Sequence, residues 1–96
     1  MARVVVTHAA ARDLRDLIRT HDLPENTSAR VERSIRPLEN FPELGAKLGG
    51  ALTPRRFLLG PWRWMIVVYR FYPERDLVAL LAIVDGRAST SPTANR

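Results

Sequence analysis

The chain has 96 residues, enough for one small domain with a modest core and too few for a two-domain enzyme with its own cofactor-binding fold. Its composition, 46% hydrophobic and 26% charged, argues against wholesale disorder, and the absence of cysteine excludes disulfides, thiolate zinc sites and a cysteine nucleophile. Fifteen basic residues against ten acidic ones give a net charge of +5, and all of the basic residues except Lys47 are arginine. Arginine suits bidentate contacts to phosphate and carboxylate.

The apolar stretches are short. The longest one without a charge, residues 77–84, is too short to span a bilayer, and the N-terminal valines are too few for a signal-peptide core. We therefore expect a soluble, cytoplasmic protein with no membrane partner.

The N-terminal part of the sequence predicts a strand followed by two helices. Residues 3–7 form a β-branched run, and Thr7 offers an N-cap to a helix that should end near residues 21–22. Pro24 and Glu25 should open a second helix, in which Pro37 predicts a kink or a weak last turn. The apolar face expected for this second helix is Ser28, Val31, Ile35 and Leu38.

The C-terminal part predicts three strands. Glycines and Pro54 make residues 45–54 a loop, and strands follow at residues 55–59, 62–72 and 77–84. The last two strands should be internal because they are apolar on both faces, and Trp62 and Trp64 should share a face with Ile66 and Val68. The order is β-α-α-β-β-β, an α+β fold with a helical hairpin packed on a mainly antiparallel, twisted sheet. We expect one domain at residues 1–88 and a flexible tail at 89–96.

Residues 44–73 contain five basic side chains and no acidic one. Such a stretch should produce a positive field along one edge of the sheet, for a phosphate or an acidic partner segment, although a solvated sheet face explains it equally well. Arginine beside Trp62 and Trp64 favours the binding hypothesis, since such rings can stack on bases or anchor a peptide. The residues predicted to contact a partner or a phosphate are Lys47, Arg55, Arg56, Arg63, Arg70, Arg87, Trp62 and Trp64.

Evidence for catalysis is weak in the sequence. His8 and His21 are the only histidines, and a position near a helix C-terminus is a sufficient structural reason for His21. Asp85 beside Gly86 is typical of a turn. No metal site and no cofactor are expected.

Taken together, the segments resemble the ParE/RelE superfamily of type II toxins over roughly residues 3–88. Each segment is weak alone, and their order and spacing carry the resemblance. They are the Ala-rich helix start at residues 9–14, the Leu-x-x-x-Pro-x-x-Gly stretch at 38–45, the arginine at 55 or 56, the Tyr69-Arg70 pair and the Leu-x-Ile-x-x-Gly-Arg strand end at 81–87.

The resemblance implies a toxin that a cognate antitoxin neutralises, with oligomers formed through the toxin–antitoxin complex. Members similar to ParE block DNA gyrase, whereas those similar to RelE cut mRNA on the ribosome. In the ribonuclease alternative Arg55, Arg56 and Arg87 would be the catalytic set. The arginine and the C-terminal Tyr or His of that branch are missing here, and Asp85 replaces a histidine. We therefore favour a ParE-like, non-enzymatic toxin, with a non-toxic member that binds only its antitoxin as a second alternative.

Overall fold

The structure, a computed structural model, describes residues 1–50 and 54–87. Strand β1 (Arg3–Val6) leads into helix α1 (His8–Thr20), and α2 (Thr27–Ile35) follows. A 3₁₀ turn (Arg36–Glu39) continues from α2, and a second one (Pro73–Arg75) precedes the last strand. The remaining strands are β2 (Ala46–Lys47), β3 (Arg56–Leu59), β4 (Met65–Tyr72) and β5 (Leu77–Asp85).

The helix ends follow from local chemistry. The Thr7 side chain accepts a hydrogen bond from the Ala10 amide at 3.2 Å, the expected N-cap of α1. Pro37 lies in the first 3₁₀ turn, which follows directly after α2 ends at Ile35, so the expected weak last turn is present as a change of helix type.

The five strands form one sheet in the order β1-β5-β4-β3-β2. Strand β1 pairs with β5 in parallel, and the other three pairs are antiparallel. Strands β5 and β4 are therefore internal, as their apolar sequences predict, and the α+β class with helices on a mainly antiparallel sheet is confirmed. The main core lies between the helices and the sheet, and its fully buried members include Ala10, Leu38, Met65, Tyr69 and Leu80.

Three details of the sequence prediction are corrected. The predicted loop at 45–54 contains strand β2, which Leu48 prolongs by donating a backbone hydrogen bond to Arg55. The predicted strand at 62–72 begins only at Met65, because its amide bonds to the carbonyl of Trp62 in a tight turn. In the first turn of α2 the buried residue is Thr27 and not Ser28, and Thr27 donates its hydroxyl proton to the Pro24 carbonyl, whereas Val31 and Ile35 are buried as predicted.

The two tryptophans are also displaced from their predicted face. They pack against the helix-side core, whereas Ile66 and Val68 form a smaller cluster with Leu48 on the opposite face of the sheet. The reason is that Trp62 and Trp64 lie in the turn before β4, where the strand alternation does not apply. The predicted tail at residues 89–96 lies outside the described residues.

Candidate functional site

The predicted basic residues separate into two groups at the two ends of β4. Arg70 lies near the end of this strand, while Arg63 lies in the turn before it. Eight strand residues span about 23 Å at ~3.3 Å per residue. Arg87 follows β5, whose end pairs with the start of β4, so it belongs to the group of Arg63. A stretch with one charge sign in the sequence is thus divided between two places in the fold.

The first group forms a groove where β2, β3 and the end of β4 meet. We call it the basic groove, lined by Lys47, Arg55, Arg56, Arg70 and Tyr72 together with Glu43 and Glu74. The two glutamates directly flank the acid-free stretch in the sequence. In the folded chain both of them lie in the same groove as the arginines of that stretch. Four cations and two carboxylates leave two positive charges uncompensated.

The cations of the basic groove have few partners within the protein. Arg56 donates to the backbone carbonyls of Glu43 and Gly45, at 3.1 and 2.8 Å, so its contacts are with neutral groups. The Arg70 guanidinium lies over the Tyr72 ring at 4.6 Å, and its buried Nε has no hydrogen-bond partner. Within residues 1–50 and 54–87, no groove cation forms an ion pair. This arrangement favours an anionic ligand, because an added carboxylate or phosphate would satisfy these donors.

Tyr69, a buried residue of the core, holds in place the segment around Gly45 that forms one wall of the basic groove. Its hydroxyl accepts a hydrogen bond from the Gly45 amide at 2.8 Å, and burial raises the pKa of this phenol. A Cβ at Gly45 would lie 2.6 Å from the Phe57 carbonyl oxygen and 2.7 Å from the Tyr69 ring, so no side chain fits there. The segment that carries Glu43 and Lys47 is therefore held against the sheet by a buried contact.

The second group is organised by stacked rings at the other end of the sheet. Trp62 and Trp64 stack with ring centroids 5.9 Å apart, and His21 stacks on Trp64 at 4.9 Å. Arg30 covers the Trp62 ring at 4.6 Å, and Arg87 lies 5.1 Å from the centroid of Trp64. We call these five side chains the aromatic stack. These side chains connect the helix layer to the two internal strands. The faces of the tryptophan rings are therefore covered by contacts within the protein.

A charged network closes this end of the sheet. Asp85 accepts two hydrogen bonds from the Arg87 guanidinium, at 3.0 and 2.9 Å, and lies 3.0 Å from the Nε2 atom of His21. The Arg87 hydrogen bonds hold the pKa of the Asp85 carboxyl well below its usual range, against the opposing effect of burial, and the His21 contact lowers it further.

Both ring nitrogens of His21 are engaged. Nδ1 lies 2.9 Å from the hydroxyl of Thr20, whose single proton goes to the carbonyl of Asp16. The Thr20 hydroxyl and the Asp85 carboxylate therefore occupy both ring nitrogens of His21. Neither nitrogen is free to accept a proton from a substrate, so the geometry does not offer His21 as a general base.

An exposed apolar pair borders the basic groove. Phe41 is 64% exposed and Leu44 is 57% exposed, in the segment between the first 3₁₀ turn and β2. Both line a shallow depression with Glu43, which also lines the basic groove. Large apolar side chains on a surface beside arginines are typical of a protein-binding patch.

The sequence did not reveal the link between His21 and Asp85, which are 64 residues apart. The only local signal was the i, i+2 spacing of Asp85 and Arg87. The described part of the chain contains no group of three or more His, Cys, Asp or Glu side chains that could hold a metal ion, and no helix in it is long and apolar enough to cross a membrane.

This architecture, a strand and two helices followed by four strands in a mixed sheet, is the RelE-like toxin fold. A chain in the crystal structure of the toxin–antitoxin complex RelBE2 from Mycobacterium tuberculosis matches it with a TM-score of 0.65 and 26% sequence identity, over 88% of this chain and 96% of that one. No protein-family model matches the sequence, and no curated protein shows significant similarity to it.

Proposed function

We propose that this chain is the toxin of a type II toxin–antitoxin system, that a cognate antitoxin neutralises it, and that it acts in the cytoplasm by binding a protein target such as DNA gyrase. The observation that carries the proposal is the likeness of fold to a chain of the RelBE2 complex along nearly the whole length of both chains. The basic groove, with its two uncompensated charges, provides a surface for an acidic partner.

The ParE-like choice of a protein target is supported by the apolar pair. Exposed Phe41 and Leu44 can act as anchors, and the neighbouring arginines can supply charge complementarity at the rim. The two ring nitrogens of His21 contact Thr20 and Asp85, and this also argues against a histidine base. A target held by anchors and charges needs no such base.

One observation favours the RelE-like ribonuclease alternative. Glu43 and Glu74 line the same groove as Arg55 and Arg56, so a carboxylate base and phosphate-binding cations are neighbours there. Arg87 lies at the other end of the sheet in the aromatic stack, so a ribonuclease would rely on the basic groove rather than on Arg55, Arg56 and Arg87 together.

The protein-target proposal is tested by adding the purified chain to DNA gyrase and measuring supercoiling. Supercoiling should fall, and the variants Phe41→Ser and Leu44→Ser should weaken inhibition about tenfold or more, since a hot-spot side chain contributes ~2 kcal/mol. Leu59→Ser is the matched control, because Leu59 is 47% exposed on β3 outside the apolar pair. Unchanged supercoiling at saturating protein would refute the gyrase target.

The ribonuclease alternative is tested by primer extension on mRNA in a translating extract. New cuts that disappear in Arg55→Ala and Glu43→Gln, and persist in Arg63→Ala, would establish the alternative and displace the first proposal. Growth arrest on induction, relieved by the product of the adjacent reading frame, tests the toxin–antitoxin assignment itself. A chain without toxicity that still binds that product would be the non-toxic member.

A further inference from the structure

Residues 41–44 form a tight turn that presents the apolar pair. The Leu44 amide donates to the Phe41 carbonyl at 3.0 Å, and Pro42 occupies the second position of the turn, where its fixed φ is favoured. This hydrogen bond brings the first and fourth residues of the turn together, and their side chains line one shallow depression with Phe71. The local sequence therefore sets the shape of the turn, but its direction relative to the sheet depends on contacts with the rest of the protein.

Two side chains of the sheet attach this turn to the body of the protein. A single nitrogen atom of Arg56, Nη1, donates to the carbonyls of Glu43 and Gly45, at 3.1 and 2.8 Å. Tyr69, which is paired with Arg56 across β3 and β4, accepts a hydrogen bond from the Gly45 amide at 2.8 Å. Side chains from two neighbouring positions of the sheet therefore converge on the end of the turn.

Arg55 and Arg56 have the same charge and adjacent positions, but their surroundings differ. Arg55 is exposed, and within residues 1–50 and 54–87 its guanidinium forms no hydrogen bond and no ion pair. Arg56 is half-buried and directs its hydrogen bonds to backbone carbonyls, which carry no net charge. Hydrogen bonds from a charged donor are stronger than those between neutral groups, so this guanidinium is suited to ordering a turn of its own chain.

We propose that Arg56 is a positioning residue, which holds the turn at residues 41–44 against the sheet so that the apolar pair meets a protein target already in its binding conformation. The inference rests on the proposed function, in which the apolar pair anchors that target. It gives Arg56 a role other than the direct contact with a partner or a phosphate that the sequence predicts.

The physical benefit of this arrangement is preorganisation. A loop that is ordered only on binding loses conformational entropy at that moment, and the affinity falls by the same free energy. Hydrogen bonds from Arg56 and to Tyr69 order the turn in the free protein, so this loss occurs during folding instead. The exposed guanidinium of Arg55 remains available for acidic groups of the target.

Amide hydrogen exchange of the full chain, followed by NMR, tests the role of Arg56 without any target. In Arg56→Gln, whose side chain is too short to reach the two carbonyls, the amides of Leu44 and Gly45 should exchange about tenfold faster, because the turn opens more often. The matched control Arg55→Gln removes the same charge and should leave both rates unchanged. The Phe41 amide, bonded to the Pro37 carbonyl, should keep its rate in both variants. Unchanged rates at Leu44 and Gly45 in Arg56→Gln would overturn the proposal.

Inhibition of gyrase tests whether Arg56 acts through the apolar pair. Arg56→Gln should weaken inhibition about tenfold, and this loss should persist when NaCl is raised from about 50 to about 300 mM. The loss in Arg55→Gln should be about threefold and should shrink with salt, as is usual for an exposed charge at the rim of an interface. In the Phe41→Ser background, Arg56→Gln should add less than about a threefold loss, because the side chain that it positions is already absent.

The outcomes distinguish this proposal from the proposed function. A loss in Arg56→Gln that shrinks with salt, or that is undiminished in the Phe41→Ser background, would mean that Arg56 contacts the target directly and would overturn the positioning role. Absence of any inhibition by the unmodified chain would remove gyrase as the target, and the exchange rates of Leu44 and Gly45 would then decide alone whether Arg56 holds the turn.

Discussion

The Nε2 atom of His21 lies 3.0 Å from Oδ2 of Asp85, and this contact joins the C-terminal cap of α1 to the last residue of β5. His21 is 27% exposed and Asp85 17%, so water screens the pair only in part. The contact closes the helix layer onto the sheet at the end opposite the basic groove.

This pair should be coupled energetically. A double-mutant cycle with His21→Ala and Asp85→Asn, measured by urea denaturation, should give a coupling free energy of about 1 kcal/mol, as is usual for a charge-assisted hydrogen bond away from bulk water. The Asp16–Arg19 pair on α1 is the control, because its side chains are 57–77% exposed, and it should give about 0.3 kcal/mol. Equal couplings would mean that the contact with Asp85 is no more than a surface pair.

The same carboxylate should make stability depend on acid pH. The Arg87 hydrogen bonds lower the pKa of Asp85 below its ordinary value of 3.8, so the folded state holds this proton less tightly than the unfolded chain does. The stabilisation is complete above the unfolded pKa and is lost as pH falls through the folded one. The difference in unfolding free energy between the unmodified chain and Asp85→Asn should be constant above about pH 5 and shrink below about pH 4. A difference independent of pH down to acid unfolding would contradict this assignment; Asp16→Asn serves as the exposed control.

Tyr69 should contribute to stability through its hydroxyl. Tyr69→Phe leaves the buried Gly45 amide without a partner and should lower the unfolding free energy by about 1–3 kcal/mol. Tyr72→Phe, which removes a hydroxyl from the ring beneath Arg70, should change it by less than about 0.5 kcal/mol. Chemical denaturation of both variants measures the effect. Equal losses of unfolding free energy in the two variants would show that the hydrogen bond to Gly45 does not stabilise the fold.

The basic groove should bind a simple anion. At a sulfate concentration about ten times the Kd, a site specific to the folded chain adds about 1.4 kcal/mol and raises the Tm by about 6 °C for a chain of this size. Arg70→Gln should lose this rise and Arg63→Gln should keep it, with ionic strength matched by chloride. The comparison of variants separates binding from the general salting effect of sulfate, and identical rises in both would exclude a site at Arg70.

Much of the fold was predictable because apolar patterning reports burial directly. The continuous apolar run of β5 and the two-faced pattern of β4 both indicate internal strands, and both are internal. The sequence predictions are wrong where contacts between distant residues, rather than the local apolar pattern, determine the secondary structure. Strand β2 has only two residues and exists because β3 lies beside it, and the turn at Trp62 reads as strand because its large rings are apolar.

The candidate site was less predictable, because the sequence shows which charges exist and not which of them meet. Asp13 illustrates the problem: its carboxylate accepts a hydrogen bond from the amide of Ile83, 70 residues away, next to an irregularity in the β4–β5 register. Glu43 and Glu74 lie just outside the acid-free stretch in the sequence, yet both reach the basic groove.

The sequence alone determined the α+β class, the internal strands, the arginine-rich net charge and the resemblance to ParE/RelE toxins, because these depend on the composition and spacing of neighbouring residues. Only the tertiary structure decided that the arginines divide between two ends of the sheet and that His21 meets Asp85. Electrostatic and hydrogen-bond energies depend on distance in space, and a folded chain sets that distance by strand register rather than by position in the sequence.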